Sequence, residues 1–245
     1  PHGAMGNAVF VMEATEPAPV KVGELPALKT SSWNDRDFTG IGTNKSVIHF
    51  GEGNLGAGAN TTYIKVANNA AFDITGSTTN FAYEGWIYAT SNATVQPAIW
   101  GDASDGRRIS LRVGSASGEI TLAVASGTGG WWTGGGRAAV KGGTTVGSGS
   151  DYDSVETIDL KKWYHIAAYT SGSPRDTISV AVNGEIWIKV TGFEHGPLCT
   201  AAHMNIGTWS DGTFWSWCGF MDNMKMYVGY ADNTYDPILE YQKGR

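Results

Sequence analysis

Residues 160–187 read LKKWYHIAAYTSGSPRDTISVAVNGEIW, and this stretch carries the strongest short-range structural signal in the chain. Apolar and polar residues alternate over 162–170 and again over 177–190, which predicts β-strands. Asn183 and Gly184 interrupt the second run. This dipeptide favours a type I′ turn, because both central residues of that turn need a positive φ. The stretch therefore predicts a β-hairpin centred on Asn183 and Gly184.

Short apolar runs of the same kind recur along the chain. They predict further strands at 46–50, 62–66, 80–90, 95–101, 108–114, 119–126, 203–209 and 214–229, and no segment longer than about ten residues has helical periodicity. Gly supplies 34 of the 245 residues. That share is about twice the usual ~7%, and the glycines are spread between the runs, as turns require. We predict an all-β fold in which two antiparallel sheets pack as a jelly-roll sandwich.

The chain divides by composition into three parts. Residues 1–44 are predicted to be a tag remnant, an N-terminal arm or a linker with a short strand at 8–14, because 13–32 are rich in Pro and polar residues. The folded domain is predicted at 45–230, followed by a C-terminal extension at 231–245. Within the domain, the Gly-rich residues 127–154 are predicted to form a long loop, and such a loop is usually functional or disordered.

Composition also limits the partners and the compartment. The net charge is −6 without a cluster of Lys and Arg, which argues against nucleic acid as a partner. No run approaches the ~18 apolar residues of a membrane span. The N-terminus lacks the basic start and apolar stretch of a signal peptide. The location of the protein is left open, with a virion or a cell surface as candidates.

The two cysteines are Cys199 and Cys218. If residues 210–212 turn a hairpin, Cys218 pairs near His203 and Cys199 lies about four residues out of register. That offset is ~13 Å, beyond the ~7 Å Cα separation that a disulfide can bridge. We predict two free, buried thiols, as in a protein assembled in a reducing cytoplasm.

Three motifs, in this order, resemble the laminin-G-like jelly-roll domains of the concanavalin A-like lectin/glucanase superfamily. Residues 61–90 hold a Tyr-centred strand and a second strand with the pattern Glu84-Gly85-Trp86, and residues 160–187 hold a Trp-x-His strand and the Asn-Gly hairpin. Residues 205–207, NIG, precede WCGFMDNMKMY at 217–227, which is similar to the closing strand of the family. The resemblance implies the fold but no function, because the fold supports lectins, adhesion modules, glycanases and lyases.

The carboxylates do not form the pattern that a glycanase of this superfamily uses, a Glu-x-Asp-x-(x)-Glu run on one strand face. Glu84 stands alone on its strand, Glu119 and Glu185 sit beside Gly at turns, and the pairs Asp35/Asp37 and Asp151/Asp153 lie in segments predicted as loops. His165 has no Ser or Cys nucleophile in a recognisable elbow. We therefore predict no catalytic residue, although an acid pair formed between two strands is left open.

The resemblance also implies a calcium site, since members of the family bind Ca²⁺ through a carboxylate on the closing strand and oxygens near the first strand. Asp222 matches that carboxylate and Asn60 lies near the first strand, but Asn223 and Thr62 stand where a carboxylate is usual. A structural calcium ion held by Asp222 and Asn60 is predicted, with a polar cap on the strand end as the alternative.

Aromatic residues near loops are candidates for sugar binding, because pyranose faces are apolar and their edges are polar. Trp86, Trp163 and Trp217 are expected in the core. The predicted ligand-binding residues lie in or next to loops and are Trp131, Trp132, Trp209, Asp211 and Trp215. Further loop polar groups that could accompany them are Asp102, Asp105 and Arg137.

Together these features predict a non-catalytic recognition module for a glycan or cell-surface polysaccharide, within a larger surface, adhesion or viral/phage structural protein. Two alternatives stay open. One is a polysaccharide-cleaving enzyme of the same fold. The other is a structural or assembly domain, a homo-oligomer in which the tryptophans bury against another subunit.

Overall fold

The computed structural model describes residues 10–12, 48–50, 63–66, 80–90, 98–102, 109–113, 118–126, 130–131, 137–140, 151–171, 177–191, 204–208, 217–231 and 234–243. The elements in these ranges are β1 (Phe10–Met12), β2 (Ile48–Phe50), β3 (Ile64–Val66), β4 (Phe81–Ala89), β5 (Ala98–Asp102), β6 (Ile109–Val113), β7 (Glu119–Ser126), β8 (Gly130–Trp131), β9 (Arg137–Val140), β10 (Asp151–Thr157), β11 (Trp163–Ser171), β12 (Thr177–Val182), β13 (Glu185–Thr191), β14 (Met204–Ile206), β15 (Gly219–Val228) and α1 (Pro237–Lys243).

The strands form two antiparallel sheets. Sheet A has the order β1-β15-β4-β11-β12-β13-β9, and β2 also pairs with β15. Sheet B has the order β10-β7-β6-β5-β14-β3, and β8 pairs with β7. Neighbours in these lists are often distant in sequence: β15, for example, pairs with both β1 and β4. This arrangement confirms the predicted all-β, two-sheet jelly-roll sandwich.

The main core lies between the two sheets. Sheet A contributes Phe81, Ile87, Ile166 and Val180, and sheet B contributes Leu111, Ile120, Leu122 and Ile206. All eight side chains are fully buried. Trp217 belongs to the same cluster, as predicted. Burial of this apolar surface is the main contribution to the stability of the sandwich.

A second buried layer covers the opposite face of sheet A, which we call the outer face of sheet A. Trp86 and Trp163 are buried, as predicted, but they pack with Tyr241 of α1 rather than between the sheets. All nine residues of β4 are buried, so both faces of this strand are covered. The C-terminal residues therefore complete the fold on this side.

The predicted hairpin is confirmed. Asn183 has φ 53° and Gly184 has φ 81°, the two positive values that a type I′ turn requires. A Cβ atom on Gly184 would lie 3.1 Å from the Cα of Ile238 in α1. Gly184 therefore serves the turn and also lets the helix pack against the hairpin.

The prediction of one long loop at 127–154 is wrong. This region contains β8, β9 and most of β10; β9 pairs with β13 at the edge of sheet A, while β10 pairs with β7 in sheet B. Asp151 and Asp153 accordingly lie in a strand and not in a loop. The Gly-rich composition hid these strands because glycine has little strand propensity. In addition, β9 and β10 pair with strands distant in sequence, which a local pattern does not record.

The first and the last described segments of the chain both contact sheet A. Phe10–Met12 forms a strand within the predicted 8–14 and pairs with residues 224–226. The C-terminal extension holds α1, which the sequence analysis did not predict. Its first turn is capped by the Asp236 side chain, which accepts hydrogen bonds from the backbone N–H groups of Ile238 and Leu239 at 2.9 and 3.2 Å.

Cys218 is buried and forms no disulfide, as predicted, and its Sγ lies 3.4 Å from the hydroxyl of Thr90. Cys199 lies outside the described residues. No helix in the described part of the chain is long and apolar enough to cross a membrane.

Candidate functional site

The residues 234–243, which we call the C-terminal strap, lie across the outer face of sheet A. Tyr235, Glu240 and Tyr241 of the strap are buried. The ring of Tyr241 stacks on Trp86 at a centroid distance of 5.8 Å and lies 6.1 Å from His165. The strap therefore forms a lid of aromatic side chains over β4 and β11.

Beneath the strap, Glu84 of β4 is the centre of a polar cluster. Its side chain is 1% exposed. Tyr235 donates a hydrogen bond to Oε2, and Tyr227 donates one to Oε1 at 3.4 Å. The Nζ atom of Lys225 lies 3.4 Å from Oε1, and Nε2 of His165 lies 3.9 Å from Oε2. The side chains of β4, β11, β15 and the strap thus converge on one carboxyl group.

Burial raises the pKa of Glu84 above its usual value, because a charged carboxylate is poorly solvated in this environment. Lys225 and the hydrogen bond from Tyr235 oppose that rise, while the nearby Glu240 adds to it. Burial and the proximity of Glu84 raise the pKa of Tyr235 as well. Since the cluster is buried, its visible role is to hold the strap on the sheet.

The sequence analysis identified Glu84 but missed its partners in the strap. An acidic residue in the middle of the apolar run FAYEGWIYA was the available signal, because a buried carboxyl group needs hydrogen-bond donors. The nature of those donors was not available from local sequence, since Tyr227 and Tyr235 are 143 and 151 residues away.

A small cavity opens beside the strap, and we call it the tyrosine pocket. Its volume is about 220 Å³, and β11, β12, β13 and the chain after β15 supply the lining residues Tyr169, Thr170, Ser171, Ser179, Ile186, Lys189, Tyr230 and Tyr235. The ring centroid of Tyr235 lies 5.0 Å from that of Tyr169 and 5.8 Å from that of Tyr230. Three aromatic rings therefore meet polar side chains at one opening.

The rings of the pocket are held in place by buried hydrogen bonds. The hydroxyl of Tyr230 lies 2.8 Å from the carbonyl oxygen of Phe81 and 2.7 Å from that of Thr170. The hydroxyl of Tyr235 is bound to Glu84. These contacts fix the ring positions before any ligand arrives.

The outer face of sheet B, the face that points away from the core, carries buried polar residues. Register places Thr121 between Arg112 and Asp153, and the Thr121 hydroxyl donates to Asp153 Oδ1 at 2.6 Å. Arg112 is 3% exposed, and Asn205 of β14 is fully buried. Asn205 is paired in register with Gly101 of β5.

The predicted tryptophan site falls largely outside the described residues, which exclude Trp132, Trp209, Asp211 and Trp215. The backbone of Trp131 is described and lies in β8, opposite Ala125. Of the accompanying polar residues, Asp102 ends β5 and Arg137 begins β9, so the prediction that these two lie in loops is wrong. Asp105 lies outside the described residues.

Trp131 and the described residues that flank Trp209 and Trp215 lie at different places on sheet B. Gly207 and Trp217 flank Trp209 and Trp215 in sequence, and the backbone N–H of Trp217 donates to the Gly207 carbonyl at 2.7 Å. From the strand order and register, Ala125 of β7, the partner of Trp131, is three strands across and about four residues along the sheet from Gly207, or about 20 Å. Ligand binding at either place stays a prediction.

Only one of the two predicted calcium ligands lies within the described residues. Asp222 is 3% exposed and lies opposite Trp86 in register, while Asn60 lies outside the described residues. Within the described part of the chain, no three His, Cys, Asp or Glu side chains cluster in a way that could hold a metal ion. Ca²⁺ requires six to eight oxygen ligands, so the described residues alone do not make a calcium site.

The fold and these surfaces define a jelly-roll module with polar and aromatic positions on the outer faces of its sheets. Comparison with family models identifies the module further. A laminin-G-type model of the concanavalin A-like lectin/glucanases superfamily matches residues 58–230. The chain belongs to this superfamily, as the sequence motifs predicted. No curated protein matches the chain.

Solved structures are similar to the chain at low sequence identity. The binding domain of botulinum neurotoxin serotype G is 8% identical with a TM-score of 0.50, and the match covers 96% of this chain and 51% of that one. The binding domain of Paraclostridial Mosquitocidal Protein 1 is 12% identical with a TM-score of 0.50, and the match covers 80% of this chain and 42% of that one. A third structure is Domain 4 of AbnA, a GH43 extracellular arabinanase from Geobacillus stearothermophilus, in complex with arabinotriose. It is 17% identical with a TM-score of 0.43, and the match covers 82% of each chain. The first two similarities show the fold alone, and the chain spans about half or less of those two toxin structures.

Proposed function

We propose that this chain is a carbohydrate-recognition module that binds a single sugar ring of a glycan in the tyrosine pocket. The observation that carries this proposal is the meeting of three tyrosine rings with hydroxyl and ammonium groups around one opening. A sugar ring needs both kinds of surface, because its C–H face is apolar and its hydroxyl edge is polar.

The size of the pocket supports a short ligand segment. About 220 Å³ is smaller than the ~300–1,000 Å³ of sites that enclose drug-sized ligands. One pyranose or furanose ring is therefore the expected occupant, and the rest of the glycan would extend into solvent past Ile186 and Lys189, which are exposed at the opening.

The pocket is also prepared for binding. Tyr230 and Tyr235 are tied to the sandwich through Phe81, Thr170 and Glu84. A ligand that meets fixed rings does not have to order them, so less of its interaction energy is lost on binding. Ser179 and Lys189 follow Tyr169 in register on the next two strands, and both supply donors for hydroxyl oxygens.

Binding without cleavage is part of the proposal. The carboxyl group of Glu84, which accepts a hydrogen bond from the pocket residue Tyr235, is covered by Tyr235 and by the strap. A glycan in the pocket would meet the ring of Tyr235 and not the carboxyl group. Release of reducing sugar from any polysaccharide, lost in Glu84→Gln, would overturn this part.

The experiment is a titration of ¹⁵N-labelled protein with methyl glycosides of glucose, galactose, mannose and arabinose, followed by amide shifts. We expect shifts at Ser179 and Lys189 for at least one glycoside. Lys189→Ala should weaken binding about 2- to 10-fold, the range for one lost hydrogen bond of ~0.5–1.5 kcal/mol.

The matched control is Lys162→Ala. Lys162 is an exposed lysine at the other end of β11, paired with Asp159 at 2.6 Å. Its removal should leave the affinity unchanged. Absence of glycoside binding, or equal affinities for both lysine variants, would contradict the proposal. A place for the module in a surface, adhesion or virion protein stays a prediction.

A further inference from the structure

The C-terminal strap places one buried carboxyl group near another. Glu84 belongs to β4 and is 1% exposed, while Glu240 belongs to the strap and is 3% exposed. The two groups interact electrostatically, since Glu240 adds to the rise in the pKa of Glu84. Two buried carboxylates repel each other, and burial removes the water that would solvate their charges. The contact between the strap and sheet A is therefore sensitive to protonation.

The groups around Glu84 come from β11, β15 and the strap. Lys225 Nζ lies 3.4 Å from Oε1, and His165 Nε2 lies 3.9 Å from Oε2. Asp222 is also buried on β15, but it lies opposite Trp86. The titratable and charged groups that face Glu84 are His165 of β11, Lys225 and Tyr227 of β15, and Tyr235 and Glu240 of the strap. Of these groups, the basic ones belong to sheet A and not to the strap.

Docking of the strap removes Glu84 from water and brings Glu240 towards it. Both effects favour a protonated Glu84, whereas the hydrogen bond from Tyr235 favours the carboxylate. Burial has the largest influence on the pKa of Glu84, so the balance favours the proton. Without the strap, Glu84 would lie on the outer face of sheet A beside Lys225, where a carboxyl group ionises readily. Docking and proton uptake are therefore coupled.

We propose that docking of the C-terminal strap is controlled by the protonation of Glu84: the strap binds sheet A most tightly when Glu84 is protonated and detaches more readily when Glu84 is ionised. The strap can leave without opening the main core, because Trp86 and Tyr241 belong to a cluster separate from the one between the sheets. The helix α1 has seven residues, whereas isolated helices shorter than ~12–15 residues are marginal in water. We therefore expect α1 to unfold when the strap detaches.

Proton linkage gives the direction and the size of the effect. Glu84 has the higher pKa in the docked state, so docking is strongest below the ordinary pKa of 4.5 and weakens as the pH rises through the pKa of the docked state. One coupled proton changes the docking equilibrium by up to about tenfold per pH unit within that range. Tyr235 lines the tyrosine pocket, so detachment removes part of its wall. Sugar binding should weaken over the same pH range, a consequence that rests on the proposed function.

The test is hydrogen–deuterium exchange of the full chain from pH 5 to 8, expressed as protection factors that correct for the intrinsic pH dependence of exchange. The probe is the backbone N–H of Glu240, which donates to the Asp236 carbonyl at 3.0 Å within the strap. Its protection should fall by about tenfold or more over this range. At each pH it should also be lower than the protection of β6 and β7, because the strap detaches without global unfolding.

The variants separate this coupling from a general loss of stability. Glu84→Gln keeps the size of the side chain but does not titrate, so it should remove most of the pH dependence. Glu240→Gln removes the carboxylate of the strap and should reduce the loss of protection at pH 8. The matched control is Asp159→Asn, which alters an exposed acid paired with Lys162 and should retain the full pH dependence.

Three results would refute the proposal. They are constant protection of the Glu240 amide from pH 5 to 8, protection equal to that of β6 and β7 at every pH, and the same pH dependence in Glu84→Gln and Asp159→Asn. If Glu84→Gln does not fold, the comparison of Glu240→Gln with Asp159→Asn decides in its place. If no glycoside binds the unaltered protein, the proposed function fails, while the exchange measurements still decide whether Glu84 controls the strap.

Discussion

Replacing Tyr235 with Phe removes one hydroxyl group from the cluster under the strap and keeps the aromatic ring. The ring packs against Tyr169 and Tyr230 and should remain there. The lost group is the donor to Oε2 of Glu84, which is buried and cannot replace it with bulk water. The variant therefore measures how much the strap gains from this single hydrogen bond.

The size of the effect depends on the charge of Glu84. A hydrogen bond to a charged group contributes about 1.5–3 kcal/mol, and one between neutral groups contributes about 0.5–1.5 kcal/mol. In a chain of this length, 1 kcal/mol shifts the melting temperature by roughly 2–4 °C. We expect Tyr235→Phe to lower it by about 3–12 °C at pH 8 and by less at pH 5, where more of Glu84 is protonated.

The assay is thermal unfolding followed by circular dichroism at both pH values. Tyr227→Phe is the matched control, because Tyr227 donates to the other oxygen of the same carboxyl group at a longer distance of 3.4 Å. Its effect should be smaller. A loss below about 1 °C for Tyr235→Phe at pH 8, or equal losses for the two variants, would refute the reasoning. In a Glu84→Gln background, the loss from Tyr235→Phe should shrink to the neutral range.

Three further predictions concern the same module. Because the pKa of Glu84 is raised above 4.5, the folded state holds its proton more tightly than the unfolded state, so stability falls as the pH rises from about 4.5 through the higher folded pKa. Glu84→Gln should remove this fall in stability when melting temperatures are measured from pH 4 to 8. If the melting temperatures of the variant and the unaltered protein change in parallel with pH, the prediction is contradicted. If Asp222 helps to bind calcium, Ca²⁺ raises the melting temperature relative to chelator and Asp222→Asn abolishes the difference; equal melts in the two buffers would end the calcium prediction. If the tryptophan site binds glycan, the double variant Trp131→Ala, Trp132→Ala loses signals on a glycan array, whereas an unchanged array would exclude these two residues.

Parts of the fold that depend on short-range pattern could be predicted well. The hairpin at Asn183 and Gly184 needs only the backbone freedom of two residues. The interior position of Trp217 was expected from alternation and from the family motif. The strands β8 and β9 could not be found in this way, because Gly-rich sequence has little strand propensity and because the partner of β9 is the distant β13.

The candidate sites were harder to predict than the fold. Glu84 was visible as an isolated carboxylate, but the tyrosines that surround it come from more than 140 residues away. The tyrosine pocket combines β11, β12, β13 and the chain after β15, so no single segment shows it.

The sequence by itself determined that this chain is a two-sheet sandwich, since alternation records which side chains of a strand need to be buried. Only the tertiary structure decided what covers the outer face of sheet A. In β4 every residue is apolar or buried, so the pattern indicates two covered faces without naming the cover. The strap does this by placing Tyr235 on Glu84, a contact whose energy depends on burial and distance and not on neighbouring residues in the chain.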